Sequence, residues 1–290
     1  MNSFIGELIV WIENNLDKKM GLDDVANRAG YSKWHLQRIF RRETGMTLAT
    51  YIRNRRLSES AILLRMTSLP VIDTAEKFGF SSQQAFTRTF TQYFSHPPKK
   101  YRQSRSWSFR RLQPSLLCEH GEMPRPELVQ LTMPPLESLT FSYQCPTESI
   151  RCALFHSEQY RQAWSKAKNL FHGRPITHIA EKYTPAASPQ YVVITQTFSC
   201  SKHSAAGCDP FPFSVPADGL FLTFPFEGQV MQLMEMKARI YQSILPARAE
   251  VRRDEYDLLT LAEYQGPALD EPAFSGFYHI PVSLGETSSR

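Results

Sequence analysis

Cysteine is scarce. The five present (Cys118, Cys145, Cys152, Cys200 and Cys208) are an odd number, contain no C-x-x-C and all fall in the last two thirds of 290 residues. That excludes a disulfide framework and leaves reduced thiols as the expectation. Cys200, His203 and Cys208 offer three metal ligands and no evident fourth, so no metal is expected. No apolar run of about 18 residues occurs, and Met1 to Asp17 has neither the basic start nor the cleavage site of a secretory signal. A cytoplasmic chain without a membrane partner follows. Gly-x-Ser-x-Gly, His-Glu-x-x-His, a P-loop and the Rossmann glycine pattern are all missing, so neither an enzyme nor a cofactor is expected.

Acid is also scarce, but locally. Residues 1–111 hold 19 Lys and Arg against 9 Asp and Glu, whereas 112–290 hold 14 against 19. A head with net charge +10 suits a polyanion such as DNA, and a remainder of −5 has no reason to touch one. The length fits two domains, and 42% hydrophobic residues exclude a mainly disordered chain.

The basic third contains a repeat. Val25-Ala-Asn-Arg-Ala-Gly-Tyr-Ser32 aligns with Thr74-Ala-Glu-Lys-Phe-Gly-Phe-Ser81, matching Ala26 with Ala75, Gly30 with Gly79 and Tyr31 with Phe80. In each copy a short helix with a small alanine meets a glycine able to take positive φ, and a serine then caps a second helix. This is the pattern of a helix-turn-helix. In the second helix of the first copy, Leu36 and Phe40 lie at i, i+4 and form core, leaving Trp34, Gln37 and Arg38 as a stripe on another face. The second copy needs a one-residue longer turn, and a shift of 50 then puts Phe86 and Phe90 in the core positions and Gln84, Thr87 and Arg88 in the stripe. Arginine, glutamine and threonine are the side chains that base edges in a major groove accept.

Between the copies, Thr47 to Met66 reads as one helix with Leu57, Ala61 and Leu64 on its apolar face. At about 1.5 Å per residue it spans roughly 30 Å, close to the 34–36 Å between successive major-groove faces, so one chain can seat both helices without dimerising. Lys33, Arg55, Arg56, Lys99 and Arg102 are candidates for phosphate contact. For Arg55 and Arg56 an ion pair with Glu43 or Glu59 is the equal alternative.

Gly30-Tyr-Ser-Lys-Trp-His-Leu-Gln-Arg-Ile-Phe40, Tyr51-Ile-Arg-x-Arg-Arg-Leu57, Phe78-Gly-Phe-Ser-Ser-Gln-Gln-x-Phe-Thr-Arg-Thr-Phe90 and Pro97-Pro-x-x-Tyr-Arg102 resemble the AraC/XylS family of bacterial transcription activators, in its MarA/SoxS/Rob branch. The resemblance covers about residues 4–105. It implies an all-α domain with two helix-turn-helix units, base contacts from Trp34, Gln37 and Arg38 and then from Gln83, Gln84, Thr87 and Arg88, and double-stranded promoter DNA and bacterial RNA polymerase as partners. Most of the family carries this module at the C-terminus. Here it leads the chain, an arrangement of the Rob type.

The expected division is a DNA-binding domain over 1–112, a linker over 113–123 and a second domain over 124–290. Pro114, Pro124, Pro126, Pro134 and Pro135 mark the change, since no helix tolerates them. Beyond them, Leu136–Tyr143, Tyr191–Phe198, Gly219–Phe226 and Gly276–Val282 read as strands, and about Ile150–Leu170 and Gln229–Leu245 as helices. An α+β domain with an antiparallel sheet and helices on one face is expected. Val129-Gln-Leu, Leu136-Glu-Ser-Leu-Thr, Gly219 to Gln229 and Tyr278-His-Ile-Pro-Val282 are similar to the GyrI-like effector domain. That resemblance implies binding of a small hydrophobic or cationic molecule, or of a protein. Phe277 stands where many members have a carboxylate four residues before Pro281, which argues against a cation; Glu227 is a possible substitute or a plain turn residue. Trp164, Phe221, Phe224 and Tyr278 are the candidates for an apolar effector pocket, with plain core as the alternative for each. For the whole chain the rival function is an architectural DNA-binding protein of low sequence specificity, held by phosphate contacts alone.

Overall fold

The computed structural model describes residues 3–18, 20–104, 106–116, 124–132, 136–146, 157–172, 174–200, 218–264 and 273–284. His203 and Cys208 of the metal reading, and the start of the helix expected from Ile150, lie outside these residues. Two units divide the chain: Met1–Ser104 with Phe109–Gly121 and Tyr241–Arg248, and Arg105–Ser108 with Glu122–Ile240 and Ala249–Arg290.

The first unit is helical. Helices α1 (Ser3–Glu13), α2 (Leu22–Ala29) and α3 (Lys33–Thr44) precede the long α4 (Leu48–Met66), and α5 (Val71–Lys77), α6 (Gln83–Phe94) and α7 (Pro98–Gln103) follow it. The repeat in the sequence is a repeat in space. Gly30 and Gly79 are left-handed, with φ 67° and 72°. In each turn the next amide reaches back to the small alanine, Tyr31 N–H to the Ala26 carbonyl and Phe80 N–H to that of Ala75. Ser32 then accepts from the His35 amide and Ser82 from that of Ala85. Both alanines are buried, so the crossing helices approach closely. Leu36 and Phe40 join Ile5, Ile9, Val25, Leu48 and Tyr51 in one core. Phe86 and Phe90 are fully buried, with Phe90 ringed by Phe86, Phe94 and Tyr101.

The reading of 113–123 as a linker fails over its described part. Phe109 and Leu112 are buried, the Gln113 amide donates to Ser58 Oγ at 2.7 Å, and the Leu116 amide donates to the Tyr51 hydroxyl at 3.3 Å. These residues seal α4. Their partners are 55 and 65 positions away. A proline-rich composition forbids helix but does not forbid packing.

The second unit is an antiparallel sheet. Its strands are β1 (Ser106–Ser108), β2 (Glu127–Leu131), β3 (Glu137–Pro146), β4 (Ile176–Pro185), β5 (Tyr191–Cys200), β6 (Gly219–Gln229), β7 (Val251–Arg253), β8 (Asp257–Tyr264) and β9 (Ala273–Ser283). Pairing runs β2-β6-β9-β8-β4-β5-β3, and the short β7 joins the end of β9 and carries β1. Helix α8 (Ser157–Leu170) lies against the face that presents Phe198 and Phe274, both in ring contact with Trp164. Helix α9 (Val230–Arg239) lies against the same face through Lys237, which meets Glu181 and Tyr278. The expected helix to Leu245 ends as α-helix at Arg239; a π-helical turn over Ile240–Ile244 and the 3-10 turn Leu245–Ala247 follow, and from Tyr241 on they belong to the first unit. β4 and β8, central to this sheet, have no counterpart among the expected strands.

Candidate nucleic-acid interface

The two recognition-type helices are superimposable in how they meet solvent. From Tyr31 to Phe40 and from Ser81 to Phe90, each position has the same burial class as its counterpart fifty residues on. Trp34 and Gln84 are exposed, Gln37 and Thr87 half-buried, Arg38 and Arg88 exposed. Trp34 is 70% exposed, far more than a tryptophan needs for core duty, and the Arg38 guanidinium lies 4.9 Å from its ring centre. An indole bracing a guanidinium orients that guanidinium at little entropic cost. On α6 the stripe forms one open cleft lined by Gln83, Gln84, Thr87, Arg88, Thr91 and Gln92. Thr91 and Gln92 extend the expected set by one turn. The i, i+4 spacing from Thr87 and Arg88 was signal enough to find them.

The five phosphate candidates separate. Lys33 is exposed beside Asp23, and Lys99 is exposed at the start of α7. Arg55 is not available: at 2% exposure it donates to both carboxylate oxygens of Glu13, at 2.9 and 2.7 Å, to Glu59 at 2.7 Å and to the Gln113 carbonyl at 2.9 Å. The expected ion pair with Glu59 forms, and Glu13 joins it in place of Glu43, which pairs with Arg42. Arg56 donates to the carbonyls of Leu16, Lys18 and Met20. Arg102 caps the end of α4, donating to the carbonyls of Leu64 and Leu69, and burial lowers its pKa. These three arginines are tied to their own fold.

In the second unit the four pocket candidates do not converge. Residues alternate faces along a strand, so Phe221 and Phe224 point to opposite sides of β6. Phe224 pairs with Tyr278 on the helix side, where Trp164 stacks on Phe274 at 5.7 Å. Phe221 lies on the other side, with His279 and beneath Arg253. All four are buried. They are core.

A polar cluster on the helix side has no signature in the sequence, because its charged partners are 56 residues apart. Glu181 accepts from Lys237 Nζ at 2.5 Å, from the Tyr183 hydroxyl and from Gln196 Nε2 at 3.0 Å. Burial works to raise its pKa, but the Lys237 charge and these hydrogen bonds hold it below the ordinary carboxylate value. The Tyr143 hydroxyl and the Gln196 carbonyl oxygen, on the same face, are buried with no hydrogen-bond partner among the described residues.

On the opposite face Phe277 is 46% exposed beside His279. The two His279 nitrogens sit 2.9 Å from the hydroxyls of Thr223 and Thr260. Burial, with the charge of His178 adding to it, lowers the His279 pKa from 6.5 to about 4. Between those values the unfolded chain holds the extra proton and the folded chain does not, so stability falls as pH falls from 6.5 towards 4. Replacing His279 with Gln should flatten that part of the stability curve. Urea unfolding at pH 7, 5.5 and 4.5 measures it; an unchanged slope would reject the assignment.

A protein-family model described as a helix-turn-helix domain matches residues 25–104. The chain is 34% identical over 262 residues to the right origin-binding protein of Escherichia coli K12, covering 88% of each. It is 44% identical over 160 residues to the transcriptional regulator Rob of Salmonella typhimurium, covering 55% of each. It is 50% identical over 98 residues to the multiple antibiotic resistance protein MarA of Salmonella typhimurium, covering 34% of this chain and 77% of that one. No helix among the described residues is long and apolar enough to cross a membrane.

Proposed function

As a member of the AraC/XylS family on its Rob branch, this chain is a DNA-binding transcription activator, and we propose that it reads promoter sequence through Trp34, Gln37 and Arg38 on α3 and Gln83, Gln84, Thr87 and Arg88 on α6. The observation that carries this reading is the duplicated stripe, which has the same burial in both helices and the side chains that base edges require. Arg38 and Arg88 suit guanine, the glutamines adenine, and Thr87 and Trp34 the thymine methyl. Lys33 and Lys99 remain for the phosphates. The 19 residues of α4 span about 28 Å, so a monomer places both helices on neighbouring turns. The target genes are those of antibiotic resistance and stress tolerance, a reading supported by the name that MarA carries, and the activator works with bacterial RNA polymerase in the cytoplasm.

The α+β domain serves as the sensor. Its ligand is a neutral or amphipathic molecule, or a protein, rather than a small cation: the buried Glu181 already holds Lys237, and the resemblance to the GyrI-like domain puts Phe277 where a carboxylate would be expected. The unpartnered Tyr143 and Gln196 atoms beside that pair favour a ligand with hydrogen-bonding groups of its own.

Arg38→Ala and Arg88→Ala are each expected to lose about 1–3 kcal/mol of discrimination at one base position, with weaker effects elsewhere. Titrations on the selected site and its single-base variants, at fixed salt, measure this. Wild-type protein that binds its selected site no better than competitor DNA would instead be the architectural binder.

A further inference from the structure

We propose that Arg56 is a positioning residue that sets the register between the two reading helices, a role that rests on the base-contacting reading of α3 and α6. It lies midway along α4, between Leu48, Tyr51 and Ile52, which close the first core, and Leu57, Ala61 and Leu64 further along. One edge of its guanidinium is held by the segment that joins α1 to α2. Nε donates to the Leu16 carbonyl at 3.0 Å, and Nη2 donates to Lys18 at 2.8 Å and Met20 at 3.1 Å. The other side of the same plane underlies Gly79, where a Cβ would meet Cζ and Nη1 at 3.7 Å and Nη2 at 3.8 Å. Gly79 is the left-handed residue that turns α5 into α6. Gly30, its counterpart in the first copy, has nothing within 4 Å of the same position. Arg56 thus touches the entry to one helix-turn-helix and the turn of the other, on the floor of a cleft between Met20–Leu22 and Phe78–Phe80.

The physics favours a brace. A guanidinium is planar with its donors in a fixed fork, so three carbonyls along one edge fix the plane. A turn resting on that plane inherits its position. α4 by itself sets the distance between the halves but leaves each half able to roll about it. DNA is intolerant of such a roll: one base pair turns the groove by about 35° and advances it by about 3.4 Å. Three main-chain acceptors held by one cation also explain why Arg56 is drawn away from the phosphates it was expected to meet.

Full-length wild type, Arg56→Gln and Arg56→Lys should be compared by competition binding on duplexes carrying the selected site, with the native spacing between its two halves or with one base pair added or removed. Wild type should prefer the native spacing by about tenfold or more, the scale of one mismatched pair. Both variants should narrow that preference to about threefold or less while keeping the base preference within each half. Lysine retains the charge but cannot span both sides, so Arg56→Lys should keep the wild-type salt slope. An unchanged spacing preference in both variants overturns the proposal, as does a wild type indifferent to spacing. So does a uniform loss on all duplexes with the salt slope reduced by about one, which would make Arg56 a phosphate contact. If circular dichroism shows Arg56→Gln unfolded, Arg56→Lys carries the test; loss of folding in both overturns the positioning role. A wild type with no site preference at all fails the base-reading proposal instead.

Discussion

Arg55→Ala should cost the helical unit about 3–5 kcal/mol of stability, although arginine on a basic helix reads first as a DNA contact. The substitution leaves the carboxylates of Glu13 and Glu59 facing each other in a site where the side chains of Arg55, Glu13 and Glu59 are 3%, 12% and 9% exposed. It also strips a donor from the Gln113 carbonyl and unsettles the segment sealed onto Tyr51 and Ser58. Burial opposes the charge on Arg55, but Glu13 and Glu59 more than compensate and raise its pKa above the usual value, so the guanidinium stays charged throughout the working pH range. The loss comes from orphaned charge rather than from missing volume. Adding Glu13→Gln and Glu59→Gln to Arg55→Met should therefore recover a large part of it. Urea unfolding followed by helical signal measures both. Where the single variant remains folded, its salt slope for DNA binding should match wild type; a slope lower by about one would restore Arg55 to the phosphates.

Lys237→Met should destabilise the α+β unit by a similar amount, about 3–5 kcal/mol near neutral pH. It removes the cation held 2.5 Å from a buried carboxylate and leaves Tyr183 and Gln196 as the neutral donors to it. The pH dependence carries the sharper test. In wild type the Glu181 pKa is lowered, so the stability it contributes is present above the ordinary carboxylate value of 4.5 and is lost as pH falls through its lower folded pKa. Without Lys237 the burial effect prevails, the pKa rises above the unfolded value, and the variant should lose less at pH 5 than at pH 7. Lys237→Met with Glu181→Gln should lose less than Lys237→Met alone at pH 7. Chemical unfolding at the two pH values decides it: an equal deficit at both would mean that the carboxylate is not the source of the cost.

Sequence alone determined the helix-turn-helix half of this protein. The two glycine turns, the capping serines and the i, i+4 pairs Leu36–Phe40 and Phe86–Phe90 are interactions within a few residues, and their repetition, 49 residues apart for the glycines and 50 for the helices that follow, makes the exposed stripe legible in the sequence. The roles of the remaining cations were decided by tertiary structure. Arg55, Arg56 and Arg102 look alike as basic residues, yet their partners Glu13, Leu16 and Leu64 lie 42, 40 and 38 positions away. In the second unit the alternation of Gly219–Phe226 is visible in the sequence, but which face it turns to the helices is not, and Phe221 and Phe224 lie across the thickness of the sheet from each other. Glu181 and Lys237, 56 residues apart, gave no sign of each other. A hydrogen bond or rotamer preference within a turn of helix is encoded where it acts, whereas a buried charge is affordable only once distant chain has brought its partner, and that pairing exists only in the folded state.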